Sequence, residues 1–448
     1  MLGSICHAQN LVVKEVRFEG LNRTKEKTLT LVANIHKGSV LKASDTSATI
    51  STAQQNLYNT KLFSKVTCRT QVVNGDSINV LISVIERWYT YAMPYFDLID
   101  RNFNEWWVVR NHDLARVIAG VDITQKNTSG RNDDLSLSIL SGFQQKAKLD
   151  YHLPFYLLKG KIGLASGIGL HRYRSINYAT LNNQLQYESL DKHGLQAYNG
   201  YLQVELFPTY AKRRWLEIGL ENRQVSSDIL GLNEQYFGTT TEALTHGHMA
   251  IGFQNDSRDV RGYASSGVLL SAQLKGYHFF NRAALNFFEL TGRMALHQPI
   301  SAKFNLAASV GVKLSQNKER PYYLNRGFGW GVNSIRNYDY FVVDGHSYIY
   351  EKLALRYMAI DKTYSLSKLP VRQFRQVPLK VVPKLYFDLG YVANGLNETG
   401  NNFTNRRLGS YGVGVDFVFY DDAVWRMEYG MNHTGEASFF LNFTSAIQ

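Results

Sequence analysis

The sequence predicts a mostly-β protein, in which an antiparallel transmembrane β-barrel of about sixteen strands follows one small N-terminal β-α-α-β-β domain. Three observations predict this fold class. Aromatic residues, which favour strands, make up 13% of the chain, whereas Pro contributes only 8 residues. No run reaches the roughly 18 apolar residues that a membrane helix needs. After residue 88, segments of about ten residues alternate apolar and polar positions, as membrane strands do.

The N-terminal domain is predicted to begin with a strand and a helix. Residues 11–20 alternate in strand fashion and end at Gly20. Residues 25–34 carry apolar positions at helical spacing, and Thr24 stands where an N-cap is expected. Gly38 ends the connection to the next element.

A second helix and two strands complete this domain. Asp45 is the expected N-cap of the helix, and two further strands at residues 65–73 and 78–86 flank a turn at 74–76. The helix buries one stripe of side chains, formed by Ile50, Ala53, Leu57 and Leu62. The resulting order is β-α-α-β-β.

The rest of the chain is filled by predicted barrel strands. They form an even number, so that with the N-terminal domain on one side of the membrane the odd strands run towards the other side. The two longest connections, 227–245 and 316–343, then fall on that far side, where long loops belong. We place strands at residues 89–99, 103–111, 114–126, 134–152, 161–175, 195–208, 213–226, 246–255, 266–277, 285–297, 301–315, 344–360, 379–394, 407–420, 423–433 and 436–445.

Alternation within the strands predicts what each face meets. Leu202, Val204 and Leu206 point to one side of their strand, against Gln203 and Glu205 on the other. The first face suits lipid and the second a wet lumen. A soluble β-sandwich would produce the same alternation. So many strands in one continuous run rarely stay an open sheet, which favours the barrel.

The chain start and the cysteines bear on export. Residues 1–9 read as the remnant of a secretory signal peptide, with a disordered soluble terminus as the alternative. Cys6 would leave with the signal. Two cysteines are too few for a disulfide framework, so Cys68 is expected to serve as a small buried hydrophobe.

The N-terminal pattern resembles a known domain. Its order and spacing are similar to those of the POTRA domain in the BamA/TamA superfamily of outer-membrane insertases and transporters, and the chain resembles a member with a single POTRA domain. The expected division is a signal remnant at 1–9, a POTRA domain at 10–87 and a barrel at 88–448. The resemblance rests on Val16, Phe18, Gly20, Asn22, Thr24, Gly38, Leu57, Leu62, Phe63, Val66 and Glu86.

A loop-tip motif extends the resemblance to the barrel. Ile335, Arg336, Asn337 and Tyr338 look like the superfamily's VRG(F/Y) tip, which in relatives folds back into the lumen and docks on the barrel wall. A guanidinium suits that task because it presents five fixed donors and stays charged. The family's Gly after the Arg is Asn337 here, and Asn tolerates a left-handed backbone better than most residues.

The expected wall partner of Arg336 lies in the thirteenth predicted strand. Phe387, Asp388 and Gly390 resemble the family's FxDxG-type motif, and alternation sends Asp388 and Gly390 inward, where Gly390 leaves room for the loop. A second wall acid that is usual in the family falls on Ala354, with Glu351 nearby on the other face.

The first and last strands are expected to meet at a seam. Pro94 interrupts the first strand, and proline is tolerated in sheets essentially at edges. Phe439, Leu441 and Phe443 in the last strand resemble the aromatic C-terminal signature of such barrels, although five residues follow Phe443. In relatives this seam opens laterally and templates client strands.

Together these features predict an outer-membrane protein assembly and insertion factor of the BamA/TamA type. A two-partner-type secretion transporter and a passive porin-like barrel are the alternatives. The expected location is the bacterial outer membrane, with the POTRA domain in the periplasm. The expected partners are outer-membrane lipids, lipopolysaccharide and unfolded client proteins, with periplasmic chaperones or lipoproteins as further candidates.

Other function classes lack support in the sequence. The net charge of +12 comes from cations spread along the chain and interleaved with acids, so no nucleic-acid partner is predicted. The 12 His show no metal-ligand spacing, and no Ser sits in a nucleophile elbow. We therefore predict no enzyme activity, no metal and no cofactor.

Overall fold

The structure is a computed structural model of the 448-residue chain. It describes residues 10–74, 76–98, 111–112, 114, 117–142, 144–190, 194–280, 282–316, 320–330, 335–338, 341–365, 376–395, 400–421 and 423–445. The strand predicted at 103–111 lies outside the described residues, except for residue 111. Among the described helices, none is long and apolar enough to cross a membrane.

The N-terminal domain is a four-stranded sheet covered by two helices. Its sheet order is β2-β1-β4-β3, with β1 and β4 parallel, and fully buried side chains such as Leu29, Leu57 and Phe63 fill the space between sheet and helices. The predicted β-α-α-β-β order is confirmed, and the short β2 adds to it. The elements are β1 (Asn10–Glu19), α1 (Glu26–Ala33), β2 (Val40–Lys42), α2 (Thr46–Asn59), β3 (Phe63–Asn74) and β4 (Ser77–Glu86).

Both predicted helix caps differ in the structure. Lys25, not Thr24, is the N-cap of α1, because the Thr24 hydroxyl instead contacts the Tyr89 hydroxyl at 3.0 Å and accepts a hydrogen bond from Asn127 at 2.8 Å. Asp45 holds the N-cap position of α2, but its side chain makes no cap hydrogen bond. Tertiary contacts with the barrel thus replace the local cap at Thr24.

The remaining strands close into one antiparallel barrel, which confirms the predicted fold class. Two more strands, β10 (Ser175–Leu181) and β11 (Gln184–Ser189), form a separate hairpin between β9 and β12, where no strand is predicted after residue 175. The barrel strands are β5 (Thr90–Leu98), β6 (Val117–Gln125), β7 (Asp134–Gly142), β8 (Gln144–Leu157), β9 (Ile162–Tyr173), β12 (Leu195–Thr209), β13 (Lys212–Val225), β14 (Ala243–Asp256), β15 (Gly267–Phe279), β16 (Phe287–Pro299), β17 (Phe304–Ser315), β18 (Ser347–Tyr357), β19 (Ile360–Ser365), β20 (Gln376–Ala393), β21 (Arg407–Phe419), β22 (Ala423–Asn432) and β23 (Ala437–Ser445).

The described strands occupy sixteen positions around the barrel, because β18 and β19 pair with consecutive stretches of β20. Pro383 lies opposite the break between them, whereas the pairing of β20 with β21 runs through Pro383 without a shift. Proline has no N–H to donate to a ladder. The break therefore lies on the side where that donor is missing.

Two predicted strands need correction. The single strand at 134–152 is the hairpin of β7 and β8, because Gly142 adopts a left-handed φ of 102° while the alternation continues across the turn. The predicted strand at 103–111 does not stand between its neighbours in the barrel, because β5 pairs directly with β6, which therefore runs opposite to the predicted direction. From β9 onward the predicted directions agree with the structure.

The two faces of the barrel wall differ as the alternation predicts. Leu202, Val204 and Leu206 lie outside with more than 40% of their surface exposed, whereas Glu205 is 1% exposed on the inside. There it accepts hydrogen bonds from Arg213 and Gln203. The greasy exterior and polar interior identify a membrane barrel rather than a sandwich with a dry core.

The N-terminal domain packs against one end of the barrel, which we name the near end. Arg23 donates to the carbonyl of Thr128 at 2.7 Å, in the turn between β6 and β7. On the other side of the mouth, Tyr58 of α2 donates to Asp421 at 3.1 Å, in the turn between β21 and β22. Between these points Asn59 donates to the carbonyl of Asp259 at 3.0 Å. The domain therefore lies across the near end.

Loops meet over the opposite, far end. The tip of the β10–β11 hairpin inserts between two other loops, and the carbonyl of Asn183 accepts a hydrogen bond from Val342 N at 2.8 Å. Its backbone N–H donates to Asn401 at 2.9 Å, and its side chain accepts from Phe403 N at 3.2 Å. These bonds join three loops above the lumen.

Glu86, the last residue of β4, ties the first turn of the N-terminal domain to the end of its sheet. Its carboxylate accepts hydrogen bonds from the backbone N–H groups of Thr24 at 2.9 Å and Arg23 at 3.1 Å. Burial on its own would raise the pKa of Glu86, but these bonds and one from Asn22 lower it below the ordinary value of 4.5.

Acid should therefore weaken the contact between Glu86 and the turn at residues 22–24. A carboxyl whose pKa is lower in the folded state stabilises fully above its unfolded pKa, and the contribution fades as pH falls through the folded pKa. Between pH 7 and about pH 4.5 we expect constant protection of residues 22–33 in hydrogen exchange, followed by a loss below that value. Glu86→Gln should lower protection at neutral pH and remove the step, whereas Glu15→Gln, at an exposed position of β1, should behave as wild type. A step that persists in Glu86→Gln would contradict this assignment.

Candidate functional site

Between β17 and β18 the structure describes residues 316, 320–330, 335–338 and 341–346, and the described loop tip docks on the inner face of the barrel wall. This tip carries the predicted motif, and the side chains of Ile335 and Tyr338 are 0% and 1% exposed. Phe328 and Val343 form a bridge within the loop. We name this segment the inner loop.

Arg336 of the inner loop binds Asp388 of β20. The Arg336 Nε and backbone N both donate to Asp388 Oδ2 at 2.9 Å, and Nη2 pairs with Oδ1. Asp388 is completely buried. Because three donors of one residue converge on one carboxylate, the contact fixes both the side chain and the backbone of the loop tip.

Other wall groups complete the seat of the guanidinium. Arg336 Nη2 also donates to the carbonyl of Leu353 at 3.0 Å, and its guanidinium carbon lies 4.1 Å from the centre of the Tyr386 ring. Arg336 Nη1 lies 3.6 Å from Glu428 Oε1 in β22. We name Arg336, Asp388, Tyr386 and Glu428 the latch.

The second acid of the latch differs from the prediction. Ala354 is buried and offers no charge, and Glu351 is exposed on the outer face between Val310 and Leu389. Glu428 takes this place from β22. Sequence alone gave no signal for it, because the pairing register of three strands brings Glu428 near Arg336.

Gly390 provides the space for the docked loop. A Cβ atom at Gly390 would lie 2.6 Å from the Phe328 ring and 3.3 Å from Ile335, so any other residue would displace the loop. Phe387, on the opposite face of β20, is exposed to the outside. The structure thus places Asp388 and Gly390 inward and Phe387 outward.

A chain of polar contacts leads from the latch towards the near end. Lys384 binds Glu428 at 2.8 Å and Asp416 at 2.7 Å. The Tyr263 hydroxyl donates to Asp416 Oδ2 at 2.9 Å from the turn between β14 and β15. Asn59 of the N-terminal domain contacts that same turn. The latch and the N-terminal domain are therefore linked through buried side chains.

A second anchor holds the base of the inner loop. Arg320, which is 2% exposed, donates to Glu289 at 3.1 Å and lies over the Phe287 ring at 4.5 Å. Trp330 donates to Asp344 at 2.7 Å within the loop. The inner loop is therefore fixed at its base and at its tip.

The residues predicted at the seam lie in neighbouring strands, because β23 stands beside β5 in the closed barrel. Phe439 and Leu441 of β23 are exposed on the outer face. Phe443 lies opposite Trp425 of β22, and Pro94 lies opposite Val121 of β6. The first and last strands therefore meet as predicted, and Pro94 belongs to one of them.

Charged side chains in the lumen form ion pairs with each other. Glu217 accepts from His248 at 3.0 Å and Glu221 from Arg223 at 2.9 Å. No group of His, Cys, Asp and Glu within the described part of the chain could hold a metal ion. The wall carries ion pairs that position loops and strands, rather than a constellation for bond chemistry.

A barrel of this kind, with a small αβ domain at one end and a latched loop inside, defines a class of outer-membrane proteins. Residues 109–373 match the family model of the OMP85 superfamily, and residues 11–87 match the POTRA model, described as a surface antigen variable number repeat. The chain belongs to the OMP85 superfamily. It is not an enzyme, and it resides in the bacterial outer membrane with its POTRA domain in the periplasm, so the near end is periplasmic and the far end extracellular.

Solved structures share this fold. BamA from Haemophilus ducreyi lacking POTRA domains 1–3 aligns with a TM-score of 0.55 and 15% identity, over 97% of this chain and 84% of that one. CdiB from Escherichia coli gives 0.58 and 13%, over 97% and 76%. CdiB from Acinetobacter baumannii gives 0.52 and 10%, over 97% and 73%. A search of curated proteins gave no match.

The latch predicts a strong coupling between its two central residues. Removing one partner of a buried ion pair leaves the other charge uncompensated and costs about 3–5 kcal/mol. We expect Arg336→Ala and Asp388→Ala each to lower the free energy of unfolding of the barrel in detergent by this amount, while the POTRA domain stays protease-resistant. Lys362→Ala, an exposed cation of β19, is the control.

The double variant separates pairing from general damage. Arg336→Ala with Asp388→Ala should cost less than the sum of the two, and the charge-swapped pair should recover part of the loss. Additive losses without any recovery would count against the latch.

Proposed function

We propose that this protein inserts or assembles other outer-membrane proteins, as a factor of the BamA/TamA type with one POTRA domain, formed by residues 10–87 and followed by the barrel. Members of the superfamily handle unfolded client proteins. Residues 335–338 form the loop tip that docks in the barrel, and Phe387, Asp388 and Gly390 form the wall motif that receives this tip.

The observation that carries this proposal is that contacts span both ends of the lumen, whereas the first strand at the seam contains a proline. Loops joined through Asn183 cover the extracellular end, the latched inner loop fills part of the interior, and the POTRA domain crosses the periplasmic end. A client that threads the lumen would have to break all three sets of contacts. A client strand that pairs at the seam would have to break only one ladder.

Pro94 supports weakness at the seam. The pairing of β5 with β6 runs through Pro94 without a shift, as the pairing of β20 with β21 runs through Pro383. At Pro383 the ladder breaks on the opposite side. Because Lys126 N donates to the carbonyl of Tyr89, alternate residues of β5 face β6 and Pro94 faces β23, so that Pro94 offers the seam no N–H donor.

The POTRA sheet offers a place for client capture. Within the described residues, β3 pairs with β4 on one side only and forms an edge of the sheet. Extended peptides add to such an edge through main-chain hydrogen bonds with little sequence selectivity. Periplasmic chaperones or lipoproteins, and the lipids and lipopolysaccharide around the barrel, complete the proposed partners.

Two-partner-type secretion is the second candidate, because CdiB shares the fold as closely as BamA does. Depletion of the protein from cells separates the two. Broad loss of outer-membrane barrels supports insertion, whereas loss of a single exported client with normal barrel levels would overturn it in favour of secretion.

Restoring the missing donor should slow insertion. Pro94→Val adds one N–H to the seam, and a net hydrogen bond contributes about 1 kcal/mol. We expect this variant, in proteoliposomes, to insert an unfolded eight-stranded barrel several-fold more slowly than wild type while its own stability rises. Pro383→Val, which adds a donor away from the seam, should leave insertion unchanged. Equal effects of the two substitutions would refute a role for the seam.

A further inference from the structure

Asn337 makes contacts that the glycine of the family motif could not make. Its side-chain Nδ2 donates to Ser438 Oγ at 3.2 Å, and its Oδ1 accepts from the Tyr386 hydroxyl at 2.7 Å. The backbone carbonyl, which a glycine would also offer, accepts from Asn432 Nδ2 at 3.4 Å. The residue is 2% exposed. The departure from the motif thus coincides with a set of specific hydrogen bonds.

These partners lie on three strands at the end of the chain. Tyr386 belongs to β20, Asn432 to β22 and Ser438 to β23. Because β23 stands beside β5, the bond to Ser438 reaches the strand that forms one side of the seam. The other latch contacts of Arg336 stop at β22.

The wall is shaped to receive this side chain. A Cβ atom at Gly430 of β22 would lie 2.8 Å from Asn337 Oδ1 and closer still to the Tyr386 hydroxyl. Asn337 also has a left-handed φ of 65°, a conformation that Asn adopts more readily than most residues. Backbone turn and side-chain seat therefore both suit asparagine.

Tyr338 adds a parallel contact to the same hairpin. Its hydroxyl accepts from the backbone N–H of Gly409 at 3.2 Å and contacts His433, in the turn that joins β22 to β23. The Tyr338 and His433 rings stack with centroids 5.8 Å apart. Two consecutive residues of the loop tip thus hold the last hairpin of the barrel.

We propose that Asn337 clamps β23 to the docked inner loop, so that the seam stays paired while the latch is closed and loosens when the loop tip leaves the wall. The proposal rests on the proposed seam function and adds its control. Asn337 is a positioning residue: it acts on the seam through Ser438. Because Pro94 of β5 offers no N–H donor, a side-chain hydrogen bond on the inner face of β23 helps to hold β23 in place beside β5.

The chain offers a sharp substitution for testing the clamp. Asn337→Gly gives the family residue, tolerates the same backbone angle and leaves the Arg336–Asp388 pair in place, while it removes the side-chain bonds to Ser438 and Tyr386. Ser438→Ala removes the same bond from the strand side. Asn182→Gly is the matched control, because Asn182 has a left-handed φ of 52° in the β10–β11 turn and lies away from β23.

Hydrogen exchange of the purified full-length protein in detergent gives the readout. Loss of one hydrogen bond should raise the exchange of amides in β23 about two- to ten-fold in Asn337→Gly and in Ser438→Ala. The double variant should show no further rise in β23, because both substitutions remove the same bond between Asn337 and Ser438. Exchange in β12 and β13, heat-modifiable migration and the control should match wild type.

Each possible result either supports the clamp or overturns it. Exchange in β23 that matches wild type in either variant overturns the clamp, and so does an equal rise in Asn182→Gly. Should Asn337→Gly fail to fold, Ser438→Ala on the wall decides alone. The exchange measurement involves no client, so a failed insertion assay with raised exchange in β23 refutes the proposed function and leaves the clamp standing.

Discussion

The structure depends on one buried ion pair, in which Arg336 of the inner loop meets Asp388 of the barrel wall. Neither charge would be stable alone at that depth, since a buried charge without a partner is strongly destabilising. Their pairing therefore determines where the loop lies. The backbone N–H of Arg336 joins the same carboxylate, so the main chain of the tip is held as well. From this position the loop places Ile335 over Gly390 and brings Asn337 to the last hairpin.

The contacts of the docked inner loop and the proline of β5 both bear on the proposed function. Buried contacts run from the latch through Lys384 and Asp416 to Tyr263, in a turn that the POTRA domain touches. Such a network gives the periplasmic domain a physical connection to the loop tip. Pro94, in contrast, leaves β5 one donor short. In the proposed function, this missing donor favours opening of the barrel between β5 and β23.

The strand faces and the pair of Arg336 with Asp388 could be predicted from the sequence, because local periodicity decides which way a strand residue points. Alternation places Asp388 inward and Phe387 outward, because neighbours along a strand always face opposite sides. The turn at Gly142 escaped prediction, since the same alternation continues on both sides of it. Glu428 and the partners of Asn337 escaped for another reason. They lie on strands far apart in sequence from the loop, and only the pairing register of β20 to β23 brings them together.

Ion conductance through single proteins in planar bilayers measures whether the latched inner loop closes the lumen. We expect the wild-type protein to conduct little, and we expect Asp388→Asn, which keeps the shape of the side chain but removes its charge, to produce frequent openings of larger conductance. A wild-type protein with a large and constant conductance, unchanged in Asp388→Asn, would contradict closure by the latch and identify a passive pore.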